Sequence, residues 1–120
     1  MTEIVLEALR AMRPPFALYE MDIHKMVEAC LRDAGIAFAH EASIGKGCRI
    51  DYLAGDVGIE IKKGRPVRNA LLRQLARYAS CEAVASVILV TQRSVKLPKA
   101  VAGKPLHLIV LPQLWGVALP

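Results

Sequence analysis

The chain has 120 residues, of which 54% are hydrophobic and 22% charged, with eight Gly and seven Pro. This composition supports one domain with a sizeable core and excludes disordered, collagen-like and low-complexity proteins. The apolar runs are too short to cross a bilayer, and the acidic N-terminus lacks the basic region of a signal peptide. We therefore expect a cytoplasmic or nucleoid-associated protein that does not bind membranes.

Positive charge is concentrated in the second part of the chain. Residues 1–41 hold four basic and seven acidic residues, whereas residues 42–120 hold twelve basic and four acidic ones. Between positions 62 and 77 there are six Lys or Arg and no Asp or Glu. Such density suits a polyanion such as nucleic acid, although a solvated helix face gives the same pattern.

Cysteine usage predicts reduced thiols. Cys30, Cys48 and Cys81 are widely spaced, odd in number and without a CxxC pair. Structural zinc and iron–sulfur sites need closer spacing or histidine partners. We therefore interpret the three as small apolar side chains of the interior.

Two helices and three strands are predicted in the first half of the chain. The first helix covers 1–15 and is stopped by Pro14-Pro15, and the second covers about 19–34. Alternating apolar residues then predict strands at 36–44, 49–53 and 57–62. Their connections are too short for parallel crossovers, which favours an antiparallel meander.

A helix and two strands are predicted in the second half. The helix covers about 67–80, and the β-branched run at 84–91 predicts a strand inside the sheet. A basic loop over 92–105 precedes a last strand at 106–111. The order α-α-β-β-β-α-β-β indicates a single α/β domain over 1–120, with a mixed central sheet flanked by helices.

The third strand places a carboxylate beside an ammonium group. Side chains alternate along a strand, so Glu60 and Lys62 share one face while Ile59 and Ile61 share the other. A tight turn brings Asp51 of the preceding strand near Glu60. Two carboxylates and a lysine then converge, although the spacing also fits an ordinary surface pair of Glu60 and Lys62.

Two converging carboxylates are suited to a hard divalent cation. Mg²⁺ takes one or two carboxylates together with waters and substrate phosphate oxygens. A cation so held lowers the pKa of a bound water and neutralises charge on a phosphodiester. A neighbouring lysine orients the water or stabilises the transition state. The pattern therefore predicts metal-assisted hydrolysis of a phosphodiester.

These residues resemble a known signature. Asp51, eight intervening residues and Glu60-Ile61-Lys62 resemble the D…(D/E)xK motif of the PD-(D/E)XK nuclease superfamily, with Ile50 in place of the usual proline. In the next predicted helix, Gln74 and Tyr78 are similar to the QxxxY motif of the RecB-type and phage-like branches. The resemblance covers roughly residues 19–91.

The resemblance implies a restriction-endonuclease-like core, α-β-β-β-α-β, and a DNA nuclease dependent on Mg²⁺ or Mn²⁺. It implies that Asp51, Glu60 and the Ile61 carbonyl bind the metal and that Lys62 activates or orients the water. It also implies a glutamate on the preceding helix. We prefer Glu20, on the side of that helix expected to contact the sheet, to Glu28, which lies about 80° away.

Helical spacing supports Gln74 and Tyr78 independently. They lie four residues apart, on a face with Val67 and Leu71 that is otherwise apolar, and a glutamine there needs a polar partner. The resemblance implies that Gln74 and Tyr78 orient the metal shell or the scissile phosphate. The side chains predicted to hold the DNA backbone are Arg49, Lys63, Arg65, Arg68, Arg73 and Arg77.

Two other functions remain open at this point. One is a nucleic-acid-binding module or accessory subunit that has a nuclease-like fold and does not cleave. The other is an interaction domain whose basic surface binds an acidic protein. For the nuclease, a homodimer or a larger nucleoprotein complex is a simple way for so small a domain to bind a duplex.

Overall fold

Three helices and six strands form the fold in the computed structural model, which describes residues 1–13 and 20–112. The helices are α1 (Thr2–Arg10), α2 (Glu20–Asp33) and α3 (Arg68–Ala79). The strands are β1 (Ala39–Gly45), β2 (Cys48–Ala54), β3 (Val57–Lys62), β4 (Ser86–Thr91), β5 (Ala100–Val101) and β6 (Lys104–Val110).

The strands form one mixed sheet in the order β1-β2-β3-β4-β6-β5. The first three pair antiparallel, which confirms the predicted meander. Strands β3, β4 and β6 pair parallel, so β4 lies inside the sheet as its apolar sequence predicts. The α/β class and the mixed sheet flanked by helices are therefore confirmed.

The predicted loop over 92–105 is wrong in its last part. It contains β5 and the start of β6, joined by a two-residue turn at Ala102 and Gly103. Both residues have positive φ, 48° and 75°, as a tight hairpin turn requires. An alanine is uncommon in that conformation, so the sequence carried no recognisable turn signal. Pro14-Pro15 and the tail around Trp115 lie outside the described residues.

The sheet separates two apolar cores. One core lies under α1 and α2 and contains the inward residues of β3, Val57, Ile59 and Ile61. The other lies under α3 and contains Leu71 and Leu75 of that helix. The radius of gyration, 13.3 Å, matches a compact domain of this length. None of the described helices is long and apolar enough to cross a membrane.

The β1–β2 hairpin changes sides halfway along its length. Tyr52 packs in the core under α1 and α2, whereas Ile50, two residues earlier on the same strand, packs under α3. Ideal alternation would put both on one face. The partner strand changes sides at the same level, where Glu41 has a φ of 50°. The residue at the switch point of β2 is Asp51.

A glycine on β3 permits this arrangement. A Cβ atom at Gly58 would lie 2.6 Å from Cδ1 of Ile50, closer than real Cβ atoms approach a neighbour. The absent side chain leaves room for Ile50 on the α3 side of the sheet. Gly58 thus helps to fix the course of β2 one residue before Asp51.

Candidate functional site

Asp51 and Glu60 meet where the ladder between β2 and β3 ends. The paired register runs from Ala54 to Tyr52 on β2, and beyond it side chains take over the hydrogen bonding. The Asp51 N–H donates to Oε1 of Glu60 at 3.1 Å. The Ile61 N–H donates to Oδ2 of Asp51 at 2.8 Å. Each carboxylate is therefore fixed by the backbone of the opposite strand.

Helix α3 supplies the other partners of Glu60. The Tyr78 hydroxyl donates to Oε2 of Glu60 at 2.9 Å, and the Gln74 amide donates to the same oxygen at 3.2 Å. The Gln74 amide also donates to the Tyr78 hydroxyl at 2.8 Å. The spacing of four residues puts both on one helix face, and the polar partner expected for Gln74 is Glu60.

Lys62 lies at the open side of this group. Its Nζ is 3.6 Å from Oε2 of Glu60, and its side chain is 31% exposed while that of Glu60 is 5% exposed. Ile59 and Ile61 pack into the core on the other face of the sheet. The alternation predicted for β3 is therefore observed, and the ammonium group connects a buried carboxylate with solvent.

The Glu60 carboxyl group gains or loses its proton near neutral pH. Burial raises the pKa of its carboxyl group, and the charge of Asp51 raises it further, to about 7. The Asp51 N–H, the Tyr78 hydroxyl and the Lys62 ammonium favour the charged form but do not fully compensate. Burial and the Glu60 charge also raise the pKa of Tyr78, so its hydroxyl stays a donor.

The two carboxylates, Asp51 and Glu60, fit a divalent cation that is also coordinated by water and substrate. Among the described residues, no group of three or more His, Cys, Asp or Glu side chains is arranged to hold a metal. Two carboxylates suffice for Mg²⁺, which keeps several waters and binds substrate phosphate. The mutual repulsion of Asp51 and Glu60 is the electrostatic situation that a cation relieves. The Ile61 carbonyl as a further ligand stays a prediction.

The structure decides only one of the two candidates for the helix glutamate of the site. Glu20 is the first residue of α2, but its side chain lies outside the described part of the chain. The alternative, Glu28, does not join Asp51 and Glu60. Its Oε2 accepts a hydrogen bond of 2.6 Å from the Tyr52 hydroxyl on the opposite face of the sheet.

A groove of about 760 Å³ runs along α3 beside the site. Lys62 and Gln74, which both contact Glu60, line this groove, and so do Arg73 and Arg77 of α3. Val67, predicted to pack on the sheet, is instead 75% exposed at the N-cap of α3 and forms part of an apolar wall. Sequence reasoning missed this wall because it assigned Val67 to the buried helix face.

The six predicted DNA-binding side chains are all exposed, and two of them line the groove. Arg73 and Arg77 lie in the groove. The Arg68 guanidinium is engaged elsewhere, since its Nε donates to the Lys96 carbonyl at 2.8 Å. The exposed residues of the set are Arg49 on β2, Lys63 and Arg65 between β3 and α3, and Arg68, Arg73 and Arg77 on α3.

Sequence reasoning also missed a second polar cluster, on the α2 side of the sheet. The buried Tyr52 ring stacks on His40 at a centroid distance of 4.7 Å, and its hydroxyl lies 3.2 Å from Nδ1 of His24. Glu28 accepts from Tyr52 and forms an ion pair with Arg32 at 3.0 Å. The cluster joins residues of α2 to residues of β1 and β2, and no local motif indicated that these elements meet there.

Five of the predicted site residues thus come together around Glu60, and they are Asp51, Glu60, Lys62, Gln74 and Tyr78. No family model, curated protein or solved structure matches the chain. A functional assignment therefore depends on the geometry around Glu60 and on the groove that leads to it.

Proposed function

We propose that this protein is a divalent-metal-dependent nuclease that hydrolyses phosphodiester bonds in DNA, on a restriction-endonuclease-like core of the PD-(D/E)XK type. The observation that carries the proposal is the buried Glu60 carboxylate, held against Asp51 and next to Lys62. Keeping two like charges together in a buried place costs stability, so such an arrangement is typical of a functional site.

Asp51 and Glu60 are the residues that would hold the cation. The backbone N–H groups of β2 and β3 fix both carboxylates before any ligand arrives. A bound cation would supply a water of lowered pKa and would neutralise charge that develops on the phosphate. Ionisation of Glu60 has to precede binding, which makes cation affinity depend on pH around neutrality.

Lys62 is the residue placed to act on the attacking water or on the phosphate. Its Nζ lies at the solvent side of Glu60, between the buried carboxylate and the groove. An ammonium group there orients the nucleophile and stabilises negative charge in the transition state. Neighbouring Lys63 lies beyond the end of β3, and it is not among the residues that line the groove.

Gln74 and Tyr78 act through Glu60 as positioning residues. Both donate to Oε2 of Glu60, which restricts the carboxylate to one orientation. The other oxygen, Oε1, then faces Asp51. Gln74 also lines the groove, so it is the member of the pair that can touch substrate.

The groove along α3 is the proposed path of the DNA backbone. Arg73 and Arg77 carry forked guanidinium groups suited to phosphate oxygens, and they follow one another at helical spacing beside Gln74. A phosphate bound there lies close to Lys62. A homodimer or a larger nucleoprotein complex would extend this short groove to a duplex.

The decisive experiment is a cleavage assay with the purified chain. Plasmid, linear duplex, single-stranded DNA and a four-way junction are each incubated with Mg²⁺, Mn²⁺ or EDTA, and Glu60→Gln serves as the matched control. We expect cleavage of at least one substrate in Mg²⁺ or Mn²⁺, and none in EDTA or with the variant.

DNA binding measured in Ca²⁺ completes the assay. Salt-dependent binding without cleavage of any substrate would replace the nuclease by the non-cleaving nucleic-acid-binding module. Absence of both cleavage and binding would favour the interaction domain for an acidic protein.

A further inference from the structure

Two cysteines, which the proposed nuclease site does not use, lie close together. Cys48 is the first residue of β2 and is 9% exposed, while Cys81 follows the C-terminal end of α3 and is half-buried. Both side chains lie against the same point of the β1–β2 hairpin, Gly45. The Cys81 thiol also donates to the Arg77 carbonyl at 3.4 Å.

The backbone holds both cysteines in place. The Cys81 N–H donates to the Tyr78 carbonyl at 3.1 Å, and its own carbonyl accepts from Val84 N at 3.1 Å and from Lys104 Nζ at 2.9 Å. Cys48 pairs with Gly45 at the tip of the β1–β2 hairpin. The closeness of the two cysteines therefore belongs to the fixed framework of the fold.

The hairpin leaves room for the Cys81 sulfur. A Cβ atom at Gly45 would lie 3.0 Å from Sγ of Cys81 and 3.9 Å from the Cβ atoms of Cys48 and Cys81. No side chain at position 45 separates the two cysteines. Both Cβ atoms are 3.9 Å from that one point, so the two cysteines are neighbours across an empty position. A disulfide, whose Cβ atoms are about 3.5–4.5 Å apart, would draw them together at the place of the missing side chain.

We propose that Cys48 and Cys81 form a reversible intramolecular disulfide in response to a peroxide, which locks the β1–β2 hairpin to the end of α3. Peroxide oxidises the Cys81 thiol to a sulfenic acid and is reduced to water. The Cys48 thiol then attacks the Cys81 sulfur, and the sulfenic oxygen leaves as a second water. Two thiols and one hydrogen peroxide thus give one disulfide and two waters.

The environments of the two thiols assign these roles. Cys81 is the more exposed, and it lies at the surface within reach of a small oxidant. Burial raises the pKa of the Cys48 thiol, which disfavours its direct reaction with peroxide and suits it to resolve a sulfenic acid on its neighbour. Cys30 sits half-buried on α2, on the other side of the sheet.

The bond would join the two elements that carry the candidate site. Cys48 lies three residues before Asp51 on β2, and Cys81 lies three residues after Tyr78 of α3. The disulfide closes a loop that includes β3 and α3. It therefore ties the strand that carries one carboxylate to the helix that positions the other, whatever reaction the site catalyses.

The test uses the full chain and hydrogen peroxide as the probe. After oxidation at low protein concentration, remaining thiols are alkylated and the protein is digested with trypsin without reduction. Trypsin separates the cysteines into peptides 47–49, 78–93 and 26–32. We expect peptides 47–49 and 78–93 linked, with the mass of two hydrogens lost, one reactive thiol left at Cys30, and full reversal by dithiothreitol.

Variants distinguish the roles of the cysteines. Cys30→Ser, the matched control, should form the same linked peptide. Cys48→Ala should instead accumulate a sulfenic acid at Cys81, trapped by dimedone. Oxidation that links Cys30, that gives only disulfides between molecules, or that leaves peptides 47–49 and 78–93 unlinked would overturn the proposal. The peptide map of the unaltered chain decides this even where a variant fails to fold.

Discussion

Each face of the sheet carries a buried tyrosine that donates a hydrogen bond to a glutamate, yet the two glutamates behave in opposite ways. Under α3, Tyr78 donates to Glu60 at 2.9 Å, and the pKa of Glu60 is raised to about 7. On the α2 side, Tyr52 donates to Glu28 at 2.6 Å, and the pKa of Glu28 is lowered.

Burial and neighbouring charge explain the difference. The Tyr52 hydroxyl is the main cause of the lowered pKa of Glu28, whose side chain is 22% exposed and is paired with Arg32. Glu60 is almost fully buried and faces Asp51, and these two influences outweigh its hydrogen bonds. A tyrosine hydroxyl therefore donates to a carboxylate that stays ionised, Glu28, on one face, and to a carboxylate that titrates near neutral pH, Glu60, on the other.

Removal of each carboxylate should separate the two faces most sharply. We expect Glu60→Gln to reduce DNA cleavage by a factor of about 10⁴ or more, since a neutral amide replaces a charged oxygen donor at the proposed metal site. Glu28→Gln should stay within a few-fold of the unaltered protein. Single-turnover cleavage rates of both variants, at saturating Mg²⁺, measure the contrast. Equal losses would show that Glu28 belongs to the site.

Lysines on the two faces provide the next comparison. Lys62→Ala should slow cleavage by a factor of about 10²–10⁴, the usual effect of a positioned acid–base or electrostatic group. Metal binding should be largely retained, because lysine is not a ligand. Lys25→Ala, at an exposed position of α2, is the control for loss of one charge. Cleavage rates and Mn²⁺ binding by titration calorimetry are measured for both variants. Full activity of Lys62→Ala would mean that the ion pair of Lys62 with Glu60 is only structural.

The tyrosines should differ in their effect on pH dependence. Tyr78→Phe removes a hydrogen bond that lowers the pKa of Glu60, so the rise of cleavage rate with pH should move to higher pH. A rate loss of about 10–100-fold at neutral pH accompanies that shift, as for other residues that position a metal ligand. Tyr52→Phe should leave the pH–rate profile unmoved and cost about 1–2 kcal/mol of stability. Unchanged profiles for both would remove Tyr78 from the mechanism.

Stability in the absence of metal should also depend on pH with opposite signs. The folded pKa of Glu60 lies above its ordinary value of 4.5, so stability falls as pH rises from about 4.5 to 7, by on the order of 1–3 kcal/mol. Glu28 has a lowered pKa, so its contribution is present above pH 4.5 and is lost as pH falls through its folded pKa.

Urea unfolding between pH 4 and 8 measures these contributions in the two glutamine variants. Glu60→Gln should abolish the loss of stability towards pH 7, whereas Glu28→Gln should retain it. A slope that persists in Glu60→Gln would mean that another group is responsible for it.

The smallest effect concerns the charged surfaces. Arg73→Ala combined with Arg77→Ala should weaken DNA binding in Ca²⁺ about tenfold and lower the salt dependence by up to about two units, because each phosphate contact contributes nearly one. Lys25→Ala combined with Arg10→Ala removes the same charge away from the groove and should leave the slope unchanged. Fluorescence anisotropy at several salt concentrations measures both. Equal slopes would show that the DNA does not follow α3.

Short-range periodicity accounts for what could be predicted. Alternation along β3 and the tight turn after β2 indicated that Asp51, Glu60 and Lys62 converge, and the spacing of four on α3 indicated that Gln74 and Tyr78 share a face. Each inference requires only the geometry of one element or of one hairpin, which the sequence specifies locally.

What was missed depends on contacts between distant segments. The partner of Glu28 is Tyr52, on a strand that ideal alternation does not describe, because β2 changes sides at Asp51. The exposure of Val67 follows from where α3 begins, which depends on how the helix docks on the sheet. Such contacts between distant segments produce no repeating pattern in the sequence.

The change of sides in the β1–β2 hairpin has a consequence for folding cooperativity. Ile50 and Tyr52 belong to different cores, so this hairpin cannot detach from one helical layer without exposing apolar surface in the other. Subglobal opening confined to α3, or to α1 and α2, is thereby penalised. The two layers are expected to exchange their amide hydrogens with similar protection and to unfold in a single transition, as one cooperative unit with the hairpin as its common member.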